Sequence, residues 1–199
     1  MKSAVLIPDV LTLAHAHDLS LILDFHNEVQ GYFRKEIARM NEKLEDGALS
    51  GQEIAGLESR KNVYIDTFEP CLRVNTFLML VSQLEEWLYH LWKHHAPATV
   101  LLEARGSIGR FKPVLKEIGV DLSRSESWMF LKGCQDVRSC LLHANGRVSL
   151  NRNPERIRNF VAQYGDIIGI KNDRLVLEAV FLPRFQAVVG QLIAAVNTI

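Results

Sequence analysis

The stretch from His15 to Asp46 limits the fold more than any other feature of this sequence, because its apolar residues recur at helical spacing. It predicts one long helix. Residues 47–51 predict a turn, and the Ser-Gly-Gln-Glu sequence at 50–53 has the form of a capping box that opens a second helix. We expect these two helices to form an antiparallel pair. The periodic apolar positions of the first helix are Leu19, Ile22, Leu23, Val29, Phe33, Ile37, Met40 and Leu44.

Two further helices are predicted in the middle of the chain, and a third opens after them. Pro70 is expected to break or kink the chain, and the helix that follows it ends near Pro97. Residues 107–118 predict a short amphipathic helix. The Ser-Arg-Ser-Glu sequence at 123–126 forms another capping box, which opens a helix over about 124–145. The helix after Pro70 carries a stripe of positions expected to be buried, at Val74, Leu78, Val81, Leu88 and Trp92.

The C-terminal part of the chain completes the prediction of the fold. An N-cap residue followed by proline predicts a helix over 154–164. Two short apolar runs, at 167–170 and 175–177, flank a polar turn and predict a small β-hairpin. The last helix begins near Pro183. The chain is therefore predicted to be an all-α, up-and-down helical bundle with a small β-hairpin before the C-terminal helix, in a single domain over residues 1–199.

Composition favours a folded protein in a reducing compartment. Just under half of the residues are apolar, and there is no low-complexity tract. The three cysteines, Cys71, Cys134 and Cys140, are odd in number and lack C-x-x-C spacing, so we expect reduced thiols in a cytoplasmic protein. The apolar run near the N-terminus is too short for a signal peptide, and no run is long enough to span a membrane.

Charge is distributed unevenly although the formal net charge is zero. A zero net charge argues against strong non-specific binding to duplex DNA. Residues 1–90 carry an excess of acids, whereas residues 124–158 carry an excess of bases. This basic excess is suited to a phosphate backbone, and it would equally complement the acidic half of the same molecule. The bases of the second segment are Arg124, Lys132, Arg138, Arg147, Arg152, Arg156 and Arg158.

The segment from Val137 to Gly146 holds the most informative pair of residues, Arg138 and His143, near the end of a predicted helix. A guanidinium stabilises a developing phosphate charge, and an imidazole moves protons near neutral pH. On an ideal helix the five residues between them correspond to about 140° of rotation and about 7.5 Å of rise. One straight helix therefore does not present both groups to the same phosphate. Either the helix distorts before Asn145, or a second copy supplies the missing half.

This Arg-x4-His spacing near a helix end, in a predicted all-helical chain, resembles the signature of the HEPN superfamily. The resemblance implies a metal-independent endoribonuclease that needs no cofactor and acts as a homodimer, with its site in the cleft between two copies. RNA is then the expected substrate. A role as a toxin or defence effector, with an antitoxin protein as a possible partner, belongs to the same expectation.

Glu85 is the candidate that supports the Arg-His pair. It stands at the centre of the apolar stripe of the third helix, where a carboxylate needs a cation or strong hydrogen-bond donors. The resemblance gives Glu85 the role of the residue that braces Arg138 and His143. The alternative is a buried salt bridge with Arg73 or Lys132 and no catalytic role.

Three residues near the motif are candidates for substrate binding: Ser139, Asn145 and Arg147. Many active HEPN members have Asn, Asp or His where this chain has Ser139, which leaves open a dimer that binds RNA, a nucleotide or a partner protein without cleavage. Asn145 and the glycine after it also fit a simple helix C-cap.

Two other features of the sequence are candidates for a binding site: a pair of histidines with metal-ligand spacing and a tryptophan on the motif helix. His90 and His94 are spaced as metal ligands on one helix face beside Glu86, which leaves open a helical metal-binding protein, although the resemblance predicts no metal. On the motif helix, the predicted core face contains Phe130, Cys134, Val137, Leu141 and Ala144. Trp128 lies off that face and is predicted to be a dimer contact or a stacking platform for a base.

Overall fold

The long N-terminal helix predicted from periodicity is present. The computed structural model describes residues 7–45, 48–101, 107–122 and 125–197, with the side chains of all of these except 7–12 and 107. Helix α1 spans Ile7–Glu45 and begins earlier than predicted. The proline at position 8 is compatible with this start, because a helix needs no amide donor in its first turn. Residue 46, the predicted end of this helix, and residue 47, the first of the predicted turn, lie outside the described residues.

The capping box at the start of the second helix is confirmed. The carboxylate of Glu53 accepts the Ser50 amide at 2.9 Å, and the Glu53 amide donates to the Ser50 hydroxyl at 3.4 Å. Helix α2 then spans Gly51–Val63. The two reciprocal bonds satisfy amides that have no partner within the helix, so the box marks the helix start from local sequence alone.

The α-helical pattern is interrupted just before Pro70, where a break or kink is predicted, but the chain stays helical. A π-helical turn, Tyr64–Phe68, joins α2 directly to α3, Glu69–His95, and Pro70 lies in the first turn of α3. The amide of Glu69 donates to the carbonyl of Tyr64, five residues back. Because a proline ring clashes with the carbonyl four residues before it, this wider turn lets the chain stay helical through the proline.

The α2–α3 segment returns along α1 in the antiparallel direction. Three side-chain hydrogen bonds show this, because the residue number on α1 falls as the residue number of the partner rises. They join Asn41 Oδ1 to Lys61 Nζ at 3.2 Å, His26 to Thr76 at 2.9 Å, and His15 to Gln83 at 2.9 Å. The predicted antiparallel pair is therefore confirmed, and it extends well into α3.

The buried face of α3 differs from the predicted stripe. Val81 and Leu88 are buried as expected, but Val74, Leu78 and Trp92 are only partly buried. Since α3 contacts α1, α5 and α7, its covered surface is broader than one narrow stripe and is displaced from the expected centre. Glu85 consequently lies at the edge of the core. The fully buried positions of α3 include Phe77, Leu80, Leu84, Trp87 and Leu91.

Residues 107–118 form a short helical segment as predicted, a 3₁₀ turn Ser107–Phe111 followed by α4, Lys112–Glu117. Helix α5, Glu126–His143, carries the motif. Its N-cap is Ser125, whose hydroxyl accepts the Trp128 amide at 3.1 Å, whereas residues 123 and 124 of the predicted capping box lie outside the described residues.

Trp128 is buried, so its predicted role as a dimer contact or base platform is wrong. The start of α5 contacts the C-terminal helix α7, Phe181–Asn197, and the hydroxyl of Ser127 donates to Gln191 at 2.7 Å. The Trp128 indole, in the first turn of α5, is therefore enclosed near α7, although it lies off the face that is predicted to be buried along the rest of the helix. That face is otherwise confirmed, because Phe130, Cys134, Val137 and Ala144 are buried and Leu141 is partly buried.

Helix α6, Pro154–Gln163, packs closely on α5 because Gly133 has no side chain. A Cβ atom at Gly133 would lie 2.0 Å from Cδ2 of Phe160. The predicted hairpin follows as β1, Ile168–Lys171, and β2, Arg174–Leu177, paired antiparallel from Ile168 with Leu177 to Lys171 with Arg174.

The fold class predicted from sequence is confirmed: the chain is an all-α helical bundle with one small two-stranded sheet before the last helix. Residues of α1, α3, α5, α7 and the hairpin belong to one continuous buried cluster. Within the described ranges, no helix is both long enough and apolar enough to cross a membrane.

Candidate functional site

The end of helix α5 is closed by two residues in the left-handed conformation. Asn145 has φ 50° and Gly146 has φ 73°. The amides of Ala144 and Gly146 both donate to the carbonyl of Cys140 at 3.0 Å. This arrangement is a C-cap, which requires a residue that tolerates positive φ, so the Asn-Gly sequence after His143 has a structural reason.

The β-hairpin holds the segment that follows the motif helix. The amide of Leu175 donates to the carbonyl of Gly146 at 2.9 Å, and Arg174 donates through Nη1 to the carbonyl of Asn145 at 2.9 Å. Arg147 pairs with Arg174 in an isolated β-bridge. The backbone of Asn145 and Gly146 is thereby fixed, while the side chains of Asn145 and Arg147 remain exposed.

Asp173, at the tip of the hairpin, anchors the same segment from the other side. Its two carboxylate oxygens accept the hydroxyl of Ser149 at 2.5 Å and the amide of Ser149 at 3.0 Å. Its carbonyl accepts the Val148 amide at 2.8 Å. The bond from the Ser149 hydroxyl, and then the bond from its amide, lower the pKa of Asp173 below its ordinary value. The hairpin is therefore the support that positions residues 145–149.

Glu85 and Arg138 meet across the α3–α5 contact. Glu85 Oε2 lies 3.9 Å from Nη2 of Arg138, and Gln135 donates through Nε2 to Glu85 Oε1 at 3.3 Å. Both members of the ion pair keep about a quarter of their side-chain surface exposed. The cation that the structure places beside Glu85 is thus Arg138, whereas the alternative predicted from sequence was a salt bridge with Arg73 or Lys132. Glu85 thus orients a guanidinium that solvent still reaches.

His143 is exposed and lies on a different face of α5. Positions 132, 136, 139 and 143 follow one another at intervals of three and four, so Ser139 and His143 share a face. Relative to Arg138, His143 is rotated by about 140° and Ser139 by about 100°. Within the described part of the chain, His143 has neither a hydrogen-bond partner nor an ion pair within 4.0 Å. One copy of the protein therefore brings Glu85 and Arg138 together but does not bring His143 to them.

The basic excess predicted around the motif is on the surface. Lys132, Arg147, Arg152 and Arg156 are exposed, and across residues 7–45, 48–101, 107–122 and 125–197 none of these four has an ion-pair partner within 4.0 Å. Asp136, half-buried on the His143 face, lies near two of them. Burial raises the pKa of Asp136 above its ordinary value, against the opposing effect of Arg156 and then Lys132.

The histidines of α3 do not form a metal centre. His90 Nε2 lies 3.8 Å from Glu86 Oε1, and the rings of His90 and His94 stack with centroids 6.3 Å apart. Among the residues described, no group of three or more His, Cys, Asp or Glu side chains is arranged to hold a metal ion. Glu86 is exposed.

All three cysteines are free, with Cys134 and Cys140 buried and Cys71 exposed. Burial raises the pKa of the Cys134 thiol, so it remains protonated near neutral pH and is a poor nucleophile. The site near the motif is therefore built from nitrogen and oxygen groups rather than from a reactive thiol.

Two residues of this region were not identified from sequence. Gln135 lies one turn before Arg138, where a polar residue is ordinary, and only the tertiary contact shows that it bonds to Glu85. The sequence predicts that Asp173 is part of a turn, since it lies two residues after the first strand. Nothing in the sequence indicates the bond from Asp173 to Ser149.

Comparison with protein-family models, with curated proteins and with solved structures finds no match to this chain. The HEPN resemblance therefore stays a prediction that the motif and its spacing carry, and a function has to be argued from the geometry around Arg138.

Proposed function

We propose that the protein is a metal-independent endoribonuclease that acts as a homodimer. The observation that carries this proposal is the guanidinium of Arg138, held 3.9 Å from Glu85 and still open to solvent, on the same helix as the exposed His143. A cation with a fixed orientation is suited to a phosphate whose charge increases during reaction. The four exposed cations without ion-pair partners are suited to the rest of an RNA backbone.

The divergence of the two motif side chains supports the proposal of a homodimer. Arg138 faces α3, whereas His143 lies on the face that carries Ser139, so one copy cannot place both on one phosphate. In a symmetric dimer the same patch of both copies forms the contact, and Arg138 of one copy can then approach His143 of the other. Such a dimer contains two composite sites.

The chemistry assigned to the site needs no cofactor. His143 carries out one of the two proton transfers, either removing the proton from a ribose 2′-hydroxyl or protonating the leaving 5′-oxygen, and solvent water carries out the other. The 2′-oxygen attacks the adjacent phosphorus, the bond to the 5′-oxygen breaks, and a 2′,3′-cyclic phosphate remains. Arg138 stabilises the charge on the pentacoordinate phosphorus, and Glu85 orients Arg138. Ser139, Asn145 and Arg147 are proposed to contact the substrate.

The test is RNA cleavage by the purified protein in excess chelator. The wild type should cleave RNA and leave DNA of the same sequence intact, because DNA lacks the 2′-hydroxyl. Arg138→Ala and His143→Ala should each abolish cleavage. Arg60→Ala and His95→Ala, which change an exposed cation of α2 and an exposed imidazole of α3, are the matched controls and should retain it.

Mixing the two inactive variants tests the composite site directly. An equimolar, re-equilibrated mixture of Arg138→Ala and His143→Ala should recover about a quarter of wild-type activity, because half of the dimers are mixed and each has one intact site. A mixture that stays inactive while forming mixed dimers contradicts the composite site. Cleavage that requires a divalent metal contradicts the proposed mechanism.

The second candidate is a dimer that binds RNA through the same surface without cleaving it. Two observations favour it: Arg138 is already paired with a carboxylate, and Ser139 lacks the amide, carboxylate or imidazole of many active relatives of the motif. Absence of cleavage together with RNA binding that weakens in Arg147→Ala would select this candidate.

If the protein is a ribonuclease, the proposed role in the cell is that of a toxin with an antitoxin protein as its partner. Overexpression should then arrest growth of the host cells. Arrest should disappear in both Arg138→Ala and His143→Ala, and arrest that persists in these variants at equal protein levels would remove the toxin idea while leaving the cleavage assay to decide the enzyme.

A further inference from the structure

Two buried histidines of α1 face α3. His15 and His26 are each 7% exposed, and each contacts a side chain of α3. They flank Leu19 and Leu23, which belong to the buried core. The contact between α1 and α3 therefore combines an apolar centre with a titratable imidazole on either side of it. We call this contact, from His15 to His26, the histidine seam.

The hydrogen bonds around His15 define its protonation state. Gln83 Nε2 lies 3.0 Å from Asp18 Oδ2 and 2.9 Å from Nδ1 of His15. A carboxylate only accepts, so Gln83 presents its NH₂ group to Asp18, and the same group donates to His15. Nδ1 of His15 must therefore carry a lone pair. The folded arrangement requires neutral His15 with its proton on Nε2.

His26 is held in the opposite tautomer. The hydroxyl of Thr76 lies 2.9 Å from the carbonyl of Leu72 and 2.9 Å from Nδ1 of His26. A hydroxyl has one proton, and Thr76 donates it to Leu72, so His26 donates through Nδ1. A second proton would have to enter on Nε2 at a buried position.

The charges around both histidines oppose or balance protonation. His90 on α3, with its ring centroid 5.5 Å from that of His15, acts against a charge there, whereas Asp18 on α1 and Glu86 on α3 favour one. Burial is the largest effect, and the pKa of His15 is lowered. Burial, then Arg73 on α3 and Arg34 on α1, lower the pKa of His26.

We propose that the histidine seam is a pH-sensitive clasp that holds the N-terminal part of α1 on α3 at neutral pH and releases it in mildly acidic solution. A proton on Nδ1 of His15 would face the NH₂ group of Gln83, donor against donor. Because both histidines have lower pKa values when folded than when unfolded, they stabilise the docked helix fully above about pH 6.5, and this contribution is lost as the pH falls. Release would uncover the α3 surface beneath Leu19 and Leu23. The inference does not depend on the proposed nuclease.

Hydrogen exchange of the whole protein at about pH 7.5 and about pH 5.5, corrected for the intrinsic pH dependence of exchange, tests this clasp. Amides of α1 between residues 13 and 30 should lose protection several-fold at the lower pH, while amides of α5 should keep theirs. Equal protection of α1 at both pH values overturns the proposal.

Variants distinguish the effect of protonating the two histidines from a loss of protection in acid that has another cause. In His15→Asn/His26→Asn the amides can replace the Nδ1 acceptor and donor without titrating, so the pH response of α1 should disappear. His17→Asn, an exposed histidine of the same helix, should keep the wild-type response. A double variant that responds as the wild type does overturns the proposal.

Gln83→Glu gives a test that does not alter either histidine. A carboxylate at this position accepts a proton from Nδ1 of charged His15, so α1 should be better protected at about pH 5.5 than in the wild type, relative to its protection at about pH 7.5. An unchanged response in Gln83→Glu would show that the bond between Gln83 and His15 does not control the docking of α1.

Discussion

Glu85 Oε2 lies 3.9 Å from Nη2 of Arg138, so a carboxylate at the edge of α3 and a guanidinium near the middle of α5 are fixed relative to each other. Gln135 holds the second carboxylate oxygen at 3.3 Å. Because both ionic groups remain partly exposed, this relationship contributes little to stability and is better suited to orienting the guanidinium.

Glu85→Gln should therefore separate orientation from stability. The free energy of unfolding should fall by less than about 1 kcal/mol, the range of partly exposed ion pairs. RNA cleavage should fall by about ten- to a hundredfold, since a guanidinium that loses its orientation is misplaced at the phosphate. Chemical denaturation and single-turnover cleavage measure the two effects. Glu86→Gln, the exposed neighbour, is the control, and an equal loss of cleavage in both variants would refute the role of Glu85.

Gly133→Ala should destabilise the protein because its methyl group would overlap the ring of Phe160. The expected loss is about 1–3 kcal/mol, as in other overpacked cores, measured by urea denaturation. Gly190→Ala on α7 meets nothing within 4 Å and should instead stabilise by roughly 0.5–1 kcal/mol, the difference in helix propensity. If Phe160→Leu does not recover stability in the Gly133→Ala background, the overlap is not the cause.

Asp173→Asn should remove a pH-dependent part of stability while retaining the left-handed turn, since Asn tolerates the φ of 64° found at this position. The pKa of Asp173 is lowered by Ser149, so the wild-type carboxylate stabilises the fold above the pKa of an unfolded aspartate, about 3.9, and this contribution is lost as the pH falls through the lower folded pKa. Denaturation curves of wild type and variant should differ at neutral pH and converge in acid. Asp166→Asn, which changes an exposed residue before the first strand, is the control for the loss of one surface carboxylate.

Asn145 has a conformational role and a proposed substrate role, and two substitutions distinguish them. Asn145→Ala should cost about 1–2 kcal/mol because alanine is strained at a φ of 50°. Asn145→Gly should leave stability unchanged and still weaken RNA binding, because the exposed amide is lost. RNA affinity equal to wild type in Asn145→Gly would leave Asn145 as a C-cap only.

The ends of helices and the turn of the hairpin could be predicted from sequence where the residues that determine them lie within a few positions of one another. Three features satisfy backbone groups locally and can therefore be predicted from a short stretch of sequence. They are the capping box of Ser50 and Glu53, the left-handed Asn145-Gly146 end of α5, and the turn of the hairpin. Pro70 shows the limit of local rules: proline predicts a break or a kink, but not that a wider turn before it keeps the chain helical.

The candidate site was predictable only in its residue types. Arg138 and His143 stand out by spacing, yet spacing does not reveal that Arg138 turns toward Glu85 while His143 faces solvent on another side. Gln135 could not be distinguished from any polar surface residue, because its partner lies 50 positions away in the chain.

The sequence alone determined the all-α class, the limits of the helices with clear caps to within a few residues, and the hairpin, because hydrophobic period, caps and turns act over short distances along the chain. The tertiary structure alone decided which face of α3 is buried, that Trp128 is core, and that His15 meets Gln83, since burial of a side chain depends on which distant segments cover it.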